Sequence, residues 1–264
     1  MADKPKDKHP AAEKTPYTVS WFSAGVSSAV ATKLAIADID EIIYTHIDDQ
    51  HPDTMRFVKD CEAWFGKAIT ILQSPAKSVA NAWLLSGLRR AKTPQGAPCT
   101  KILKRRVRKD WENKHGKYEF TYVWGMDAAE SDRLDGLRVS MPDQRHRCPL
   151  IEQRIGKAEA HEILRASGIA RPVMYDLGYH NNNCVGCVKG GMGYWNKIRI
   201  DFPDVFAARA KLERDVGGSM LKTNPPRGQK AEPIYLDELD PQAGRHDGPI
   251  VDDCGIMCEL MRME

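Results

Sequence analysis

Four short runs rich in β-branched and aromatic residues alternate with helical patterns in the first half of this 264-residue chain. The four runs cover residues 17–22, 41–47, 68–74 and 120–126. Between them apolar residues recur at helical spacing, as at Val30, Leu34 and Ala37. Parallel strands need a crossover of about this length between them, and a helix usually supplies it. The sequence therefore predicts an α/β fold, with a parallel sheet and helices on both faces.

Composition limits the class of protein further. Hydrophobic residues make up 42% and charged residues 28%, which is typical of a water-soluble globular protein. No apolar run approaches the roughly 20 residues of a membrane span, so we expect no membrane contact. Residues 1–16 are charged and have no apolar core, which predicts a disordered tail rather than a secretory signal and favours a cytoplasmic location.

The rest of the chain divides into two predicted parts. Residues 17–215 are expected to form the α/β domain, with a short "CPLIEQ" strand or extended lead-in at 148–153 and a loop-rich stretch at 171–197. Residues 216–264 begin with a Gly- and Pro-rich segment, which predicts a mobile connection. That segment leads to a cysteine-bearing C-terminal extension.

The turn "SAGVSS", residues 23–28, joins the first predicted strand to its helix through small residues. Such a turn lets backbone N–H groups approach an anion, and the helix N-terminus adds partial positive charge. The hydroxyls of Ser23, Ser27 and Ser28 can donate to phosphate oxygens. The turn lacks the lysine and the spacing of a G-x-x-x-x-G-K-[ST] loop. It is therefore either a phosphate cradle or only a tight turn.

Other polar residues also follow strand ends. Asp48 and Asp49 come after the second run, and the segment 125–133 follows the fourth. Ligands of open parallel sheets bind beyond the carboxyl ends of the strands. These residues and the turn at 23–28 are therefore expected at one site.

A basic run, "KILKRRVRK", occupies residues 101–109, although the net charge of the whole chain is only +3. It is either a solvated helix face or an anion-binding surface for nucleotide phosphates or nucleic acid.

Seven cysteines, an odd number, argue against a full disulfide framework in a protein expected in a reducing compartment. Four of them form two close pairs, Cys184-x-x-Cys187 and Cys254-x-x-x-Cys258. Two such pairs suit a four-thiolate zinc site or an iron–sulfur cluster.

Several segments, in order, resemble the sulfonucleotide reductases of the PP-loop ATP pyrophosphatase superfamily, which act on adenylyl sulfate or phosphoadenosine phosphosulfate (PAPS). "SAGVSS" resembles the S-G-G-x-D-S loop of that superfamily, "APCTKILKRR" its Cys-plus-Lys segment, "GMDAAESDRL" its G-x-R-x-x-E-S-x-x-R element and "GYHNNNCVGC" its Gly-Tyr-to-CxxC segment. The likeness covers roughly residues 17–205. It implies an adenine nucleotide alpha-hydrolase-like, Rossmann-like fold.

The resemblance also implies residue roles. The residues it implies for nucleotide binding are Ser23, Ala24, Gly25, Ser27, Ser28, Asp48, Gly125 and Glu130. Lys101 and Arg133 would hold the sulfate end of the substrate. Ser27 stands where an ATP-cleaving relative carries an aspartate, which favours a sulfonucleotide site over pyrophosphate cleavage.

Cysteine roles follow from the same resemblance. "DCGIMC" resembles the E-C-G-x-H segment of the reductases, which makes Cys254 the candidate nucleophile, although Met257 replaces the histidine. Cys99, Cys184 and Cys187, with Cys258 as the fourth, would hold a [4Fe–4S] cluster, or zinc instead. A simple pair of metal ligands is the alternative interpretation of Cys254 and Cys258, and both interpretations stay open.

Three functions are compatible with these features. The favoured one is a PAPS reductase-like enzyme that uses a thiol reductant such as thioredoxin. The second is a PP-loop sulfurtransferase that uses ATP with Mg²⁺ and modifies nucleic acid, as in DNA phosphorothioation, with the 101–109 helix as the contact. The third is a zinc-stapled binding module without catalysis.

Overall fold

The computed structural model describes residues 14–91, 96–223, 225–226 and 228–245. Within these ranges a five-stranded parallel sheet has the order β3-β2-β1-β4-β5. The strands are β1 (Thr15–Phe22), β2 (Glu41–His46), β3 (Ile69–Gln73), β4 (Tyr118–Val123) and β5 (Arg145–Arg147). This parallel sheet confirms the predicted α/β class.

Helices cover both faces of the sheet, as predicted. Phe22 and Tyr44 pack with α1 (Val26–Leu34), α2 (Asp53–Phe65) and α7 (Lys157–Ala166). Val19 and Ile43, which alternate with them along the strands, pack with α4 (Arg106–Lys114) and α5 (Ser131–Ser140). Because neighbouring strand residues point to opposite faces, both sides of the central strands are apolar.

A third apolar cluster lies apart from these two layers. It is built from α3 (Val79–Ser86), α9 (Met192–Asp201), α10 (Pro203–Val216) and the antiparallel pair β6 (Leu221–Lys222) and β7 (Pro233–Ile234). Trp83 and Trp195 are its largest buried side chains, and Cys99, Cys184 and Cys187 belong to it. The cysteine-bearing loop is therefore part of a packed core.

The segment at 148–153 is a helix and not the expected strand or extended lead-in. Pro149 opens α6 (Pro149–Glu152), where a proline costs no hydrogen bond because the first N–H groups of a helix have no partner within it. The strand is β5 just before it, whose sequence Arg-His-Arg has no apolar pattern to reveal it.

Two further segments are more regular than the sequence suggested. The stretch expected to be loop-rich contains α8 (Val173–Asp176) and the start of α9. The part of 217–245 that the structure describes contains the β6–β7 pair and a 3₁₀ turn, Leu236–Glu238. Leu221, Leu236 and Leu239 are buried there, which explains why the segment is held in place.

The basic run is not a single regular helix. Thr100–Arg105 forms a π-helical turn, which continues into α4. A second short turn, the 3₁₀ segment Ala128–Glu130, precedes α5. Among the helices formed by described residues, none combines the length and the apolar character needed to cross a membrane.

Candidate functional site

A pocket opens at the carboxyl edge of the sheet, between β1 and β4. The order of the strands reverses direction at this point, which is where open parallel sheets bind their ligands. The pocket spans about 800 Å³ when its solvent-open part is included. It is lined by Trp21, Phe22, Ser23, Ser28, Thr45, Gln50, Lys104, Arg105, Arg108, Trp124, Gly125, Met126, Glu130 and Arg133. We call it the cationic pocket.

The turn at 23–28 contributes two of its serines. The hydroxyl of Ser28 accepts the Ser23 N–H at 3.0 Å, so this pair closes the turn beside the pocket. The N–H of Val26, in the first turn of α1, donates to the hydroxyl of Tyr175 at 3.2 Å. A ligand phosphate would therefore meet Ser23 and Ser28, while Tyr175 occupies the N–H of Val26.

The other residues that the sequence predicted from this turn, Ala24, Gly25 and Ser27, have different surroundings. Ala24 is buried with φ at +60°, a left-handed conformation that favours glycine, and its carbonyl accepts from the side chain of Asn182 at 2.8 Å. Gly25 caps α1, and Ser27 is half-buried. Ala24, Gly25 and Ser27 do not line the cationic pocket.

Gly125 brings β4 and α1 together. A Cβ atom at this position would lie 2.3 Å from Cα and 2.6 Å from N of Ser28. Any larger residue would push the two backbones apart. Glycine is thus required for the close approach that forms the floor of the pocket.

Three cations reach the pocket from the basic run. Lys104 and Arg105 end the π-helical turn, and Arg108 lies in the first turn of α4. Arg108 Nε lies 3.1 Å from Glu112 Oε1, and the same oxygen accepts the hydroxyl of Tyr122 at 2.6 Å. Because Tyr122 lies in β4, the sheet holds the guanidinium of Arg108 in place through Glu112.

A fourth cation, Arg133, comes from α5. It forms an ion pair with Glu130, whose second carboxylate oxygen accepts the backbone N–H of Asp127 at 3.0 Å. The Arg133 side chain is only 11% exposed. Four cationic side chains and one carboxylate therefore line the pocket, and an anionic ligand complements that charge.

Comparisons with known proteins give a likeness in structure but none in sequence family. No protein-family profile matches the chain, and none of the curated proteins matches it. Among solved structures, the chain is similar to a phosphoadenylyl-sulfate (PAPS) reductase from Candida auris in complex with phosphate. The two share 13% identity over 64% of this chain and 80% of that one, with a TM-score of 0.44. Values this low do not assign an activity.

Two residues expected at the site lie elsewhere. Lys101 is exposed and does not line the cationic pocket, whereas Lys104, one helical turn further on, does. The carboxylate of Asp48 is half-exposed and accepts from the side-chain amide of Gln73 at 2.6 Å. Thr45 and Gln50, on either side of Asp48 in the chain, reach the pocket instead.

A second, small pocket adjoins the first. Its lining consists of Ile47, Val79, Cys99, Thr100, Lys104, Cys184, Cys187 and Val188. All three thiols are buried and none is in a disulfide. Because Lys104 lines both pockets, the thiols and the cationic pocket are neighbours. The three cysteines that the resemblance grouped are thus brought together, and we call this the cysteine pocket.

Buried polar contacts hold the cysteine loop. Gln50 pairs with Cys184 in an isolated β-bridge, and the Asp49 carbonyl accepts the Val185 N–H at 2.8 Å. The Asp49 carboxylate forms an ion pair with Arg209, with side chains only 11% and 8% exposed. Asp49 therefore fixes the loop and α10 to the end of β2.

A tyrosine hydroxyl adds two hydrogen bonds to the contacts that hold the cysteine loop. The hydroxyl of Tyr194 accepts the Cys187 N–H at 2.8 Å and donates to the Cys184 carbonyl at 3.2 Å. Burial, with the nearby thiols, raises the pKa of Tyr194 well above its ordinary value, so this hydroxyl stays protonated.

The positions of these thiols bear on the metal predicted from the cysteines. Thiols suit zinc or iron–sulfur ligation, but three thiols fall short of the four ligands that such sites use. Within the described ranges, no group of three or more His, Cys, Asp or Glu side chains is placed to hold a metal ion. The described residues alone therefore do not form a metal site. Cys254 and Cys258 lie outside the described residues.

Sequence reasoning did not single out Thr45, Gln50 and Trp124 in the pocket, or Asn182 and Tyr175 behind the turn. Thr45 is the second-last residue of β2 and Trp124 directly follows β4, so strand-end position was the available signal. Asn182 and Tyr175 lie more than a hundred residues from the turn that they hold, and no local pattern indicates such contacts.

Proposed function

We propose that the cationic pocket binds an adenine nucleotide with a sulfate or phosphate terminus, and that the protein is a sulfonucleotide reductase of the PAPS reductase type. One observation carries the proposal. The switch point of the sheet gathers two serines of the β1–α1 turn, Gly125, and four cationic side chains around one opening. Phosphate and sulfate are the groups that such a set of donors recognises best.

Each part of the pocket has a role in this proposal. Arg105, Arg108 and Arg133 bind the anionic end of the ligand, where guanidinium groups can contact two oxygens at once. The aromatic residues Trp21 and Trp124 form the wall for the base. The resemblance places Ser27 where an ATP-cleaving relative carries an aspartate for Mg²⁺, so in this proposal the nucleotide is bound without cleavage between its phosphates.

The chemical step uses Cys254, which is assigned by the resemblance alone. Its thiolate attacks the sulfur of the bound adenylyl sulfate, an S–S bond forms, and the S–O bond breaks to release the nucleotide monophosphate. A thiol reductant then attacks the Cys254 sulfur, and sulfite leaves with the electron pair of the S–S bond. A second thiol of the reductant resolves the mixed disulfide, so the reductant is oxidised to a disulfide and Cys254 is regenerated.

Nucleotide titration tests the binding site. We expect adenylyl sulfate or PAPS to bind the protein, and Arg105→Ala to weaken that binding about 10- to 100-fold, equivalent to 1.4–2.7 kcal/mol for a charged hydrogen bond. Arg106→Ala is the matched control, because Arg106 is exposed and does not line the pocket. Equal losses in both variants would contradict the site. Binding of ATP alone would favour the sulfurtransferase function instead.

Sulfite release tests the chemistry. With a thiol reductant and the sulfonucleotide, Cys254→Ser should reduce sulfite release by at least about a thousandfold, because a hydroxyl is a far weaker nucleophile than a thiolate. Mass spectrometry of the wild-type protein without reductant should find the thiosulfonate on the peptide that contains Cys254. Full activity of Cys254→Ser would exclude that residue as the nucleophile.

The metal belongs to the same proposal. Cys99, Cys184 and Cys187 would supply three thiolates to a [4Fe–4S] cluster or to zinc, and Cys258 the fourth, and the described side chains would have to turn towards a common centre to do so. Iron and zinc analysis of an anaerobically purified protein distinguishes the cluster from zinc. The visible absorbance of the same sample is a second measurement, because an iron–sulfur cluster absorbs there and zinc does not. A preparation that contains neither metal would remove this part of the proposal and leave the nucleotide site unaffected.

A further inference from the structure

A second cleft lies outside the cationic pocket, between the chain that follows α3, the start of α9 and the β6–β7 pair. It spans about 1190 Å³ with its open part included. Its lining comprises Arg89, Arg90, Gly191, Met192, Gly217, Gly218, Ser219, Met220, Leu221, Lys222, Ala231, Pro233 and Tyr235. We call it the Arg89 cleft.

The charge of the Arg89 cleft is entirely positive. Arg89, Arg90 and Lys222 are exposed there, and no Asp or Glu is among its lining residues. Within the described ranges no ion pair involves any of the three. Three cations held beside one another without a carboxylate repel each other, and an anionic partner removes that repulsion.

The carboxylates of the adjoining 3₁₀ turn have another partner. Asp237 and Glu238 both pair with the guanidinium of Arg214, which also lies 3.8 Å from the centroid of the Tyr235 ring. Glu213 is fully buried and accepts backbone N–H groups. Glu232 is exposed next to the cleft and does not line it. The positive charge is therefore not balanced from the adjoining 3₁₀ turn or from α10.

The frame of the cleft is fixed by backbone contacts. Gly217 ends α10 with φ at +66°, and Gly218 packs so closely that a Cβ atom there would lie 1.4 Å from the carbonyl oxygen of Arg89. Lys222 is held by its pairing with Pro233. The two chain segments that carry the cations are therefore in direct contact, and the cations are presented by a rigid support.

We infer that the Arg89 cleft binds the phosphate backbone of a single-stranded nucleic acid. Exposed cations bind a small anion weakly, because water screens each pair. A polyanion engages several of them at once and releases its counterions, so its affinity accumulates. The cleft also presents Met192, Leu221 and Tyr235 beside the cations, and apolar and aromatic walls suit the exposed bases of an unpaired strand better than a duplex.

This assignment differs from the nucleic-acid surface expected from the sequence. Lys104, Arg105 and Arg108 of the basic run are used in the cationic pocket, which leaves Lys101, Arg106 and Lys109 exposed to solvent. The two surfaces are independent, and the inference does not depend on which reaction the nucleotide site performs.

Fluorescence anisotropy with a labelled single-stranded oligonucleotide tests the inference on the full chain. We expect wild type to bind with an affinity that falls steeply with salt, and R89E/R90E to bind at least about tenfold more weakly. Loss of two phosphate contacts should lower the slope of log Kd against log salt by about 1.4. R106E/K109E is the matched control, since it makes the same change in net charge on exposed residues of α4, and we expect it to bind as wild type does.

Any of these outcomes would overturn the inference: no binding by the wild type, equal weakening in both double variants, or displacement of the oligonucleotide by inorganic phosphate at constant ionic strength. The third result would assign the cleft to a small anion. Tighter binding of a duplex of the same length would also contradict it. If R89E/R90E lowers the thermal midpoint, R89Q/R90Q repeats the measurement with less electrostatic change and should still reduce the salt slope relative to R106Q/K109Q.

Discussion

The protein has two halves that are held together in different ways. The sheet half, formed by β1–β5 with α1, α2 and α4–α7, is organised by parallel strand pairing and apolar layers on both faces. The cysteine half, formed by α3, α9, α10 and the β6–β7 pair, has only two paired residues per strand. Its segments share the third apolar cluster and are also joined by buried polar contacts, the ion pair of Asp49 with Arg209 and the hydrogen bonds of Glu213 with two backbone N–H groups.

This difference explains how the residues of the cationic pocket and of the cysteine pocket are positioned. The cationic pocket is formed by main-chain turns at strand ends, so the sheet itself positions Ser28 and Gly125. The cysteine pocket depends on Asp49, which connects the end of β2 with the cysteine loop and α10. The cysteine half should therefore respond to loss of one charge, and the sheet half to changes of backbone conformation.

Removal of the Asp49 carboxylate should have the largest effect. Asp49→Ala leaves the guanidinium of Arg209 buried without its partner and removes the acceptor of the Val79 N–H, which is 2.6 Å from Asp49 Oδ2. We expect a loss of about 3–5 kcal/mol in the free energy of unfolding, the range for breaking a buried ion pair from one side. Chemical denaturation measures this, and a thiol reagent should label Cys184 and Cys187 faster in the variant.

Asp48→Ala is the control for that experiment, because the neighbouring carboxylate is half-exposed. We expect its stability to stay within about 0.5 kcal/mol of wild type. Comparable losses in both variants would mean that Asp49 does not join the halves. The same variant tests the nucleotide-binding role that the resemblance implies for Asp48. Weaker nucleotide binding by Asp48→Ala would indicate that Asp48 contacts the ligand.

Glu213 should make the stability of the cysteine half depend on pH. Burial raises the pKa of this carboxyl from 4.5 to about 7, although the N–H groups of Leu236 and Met220 oppose the rise. The charge of Asp237 adds a smaller increase to this pKa, and the charge of Arg214 a smaller decrease. The folded protein thus binds a proton more tightly than the unfolded chain. Stability from this group is therefore present below pH 4.5 and lost as pH rises to about 7. The expected contribution is about 3 kcal/mol.

Comparing wild type with Glu213→Gln isolates this contribution, because the amide does not titrate. The difference between their free energies of unfolding should change with pH between pH 5 and pH 7, when measured by urea denaturation at each pH. Glu162→Gln is the control, since Glu162 is exposed and Arg165 lowers its pKa, so its effect lies at lower pH. A difference that is independent of pH would show that Glu213 is not protonated in the folded protein.

The sequence predicted the sheet half better than the cysteine half for the same physical reason. Periodic apolar residues reveal strands and helices such as β1 and α2, and strand-end position led to Ser23, Ser28, Gly125, Glu130 and Arg133. Charge order along the chain could not distinguish Lys101 from Lys104, because the π-helical turn changes which side chains face the sheet.

In the cysteine half the decisive contacts are distant in sequence. Asp49 and Arg209 are 160 residues apart, and Met220 lies close to Glu213 only after Gly217 turns the chain. The β6–β7 pair is too short for a period to be visible, so the Gly- and Pro-rich segment suggested mobility. Cys99 was grouped with Cys184 and Cys187 by the resemblance and not by any spacing rule.

The smallest expected effect concerns the backbone of the β1–α1 turn. Ala24 has φ at +60°, where a side chain costs about 1–2 kcal/mol, whereas glycine adopts this conformation freely. Ala24→Gly relieves that strain but removes a buried Cβ and adds entropy to the unfolded chain, each worth about 0.5–1 kcal/mol. These terms nearly cancel, so we expect the free energy of unfolding to change by less than about 1 kcal/mol.

The control is Ala29→Gly, which is equally buried but lies within α1 and has no strain to relieve. It should lose at least about 1 kcal/mol of the free energy of unfolding. Thermal denaturation of both variants makes the comparison. Equal losses would mean that the turn is not strained, and that position 24 contributes to the sheet half only by packing.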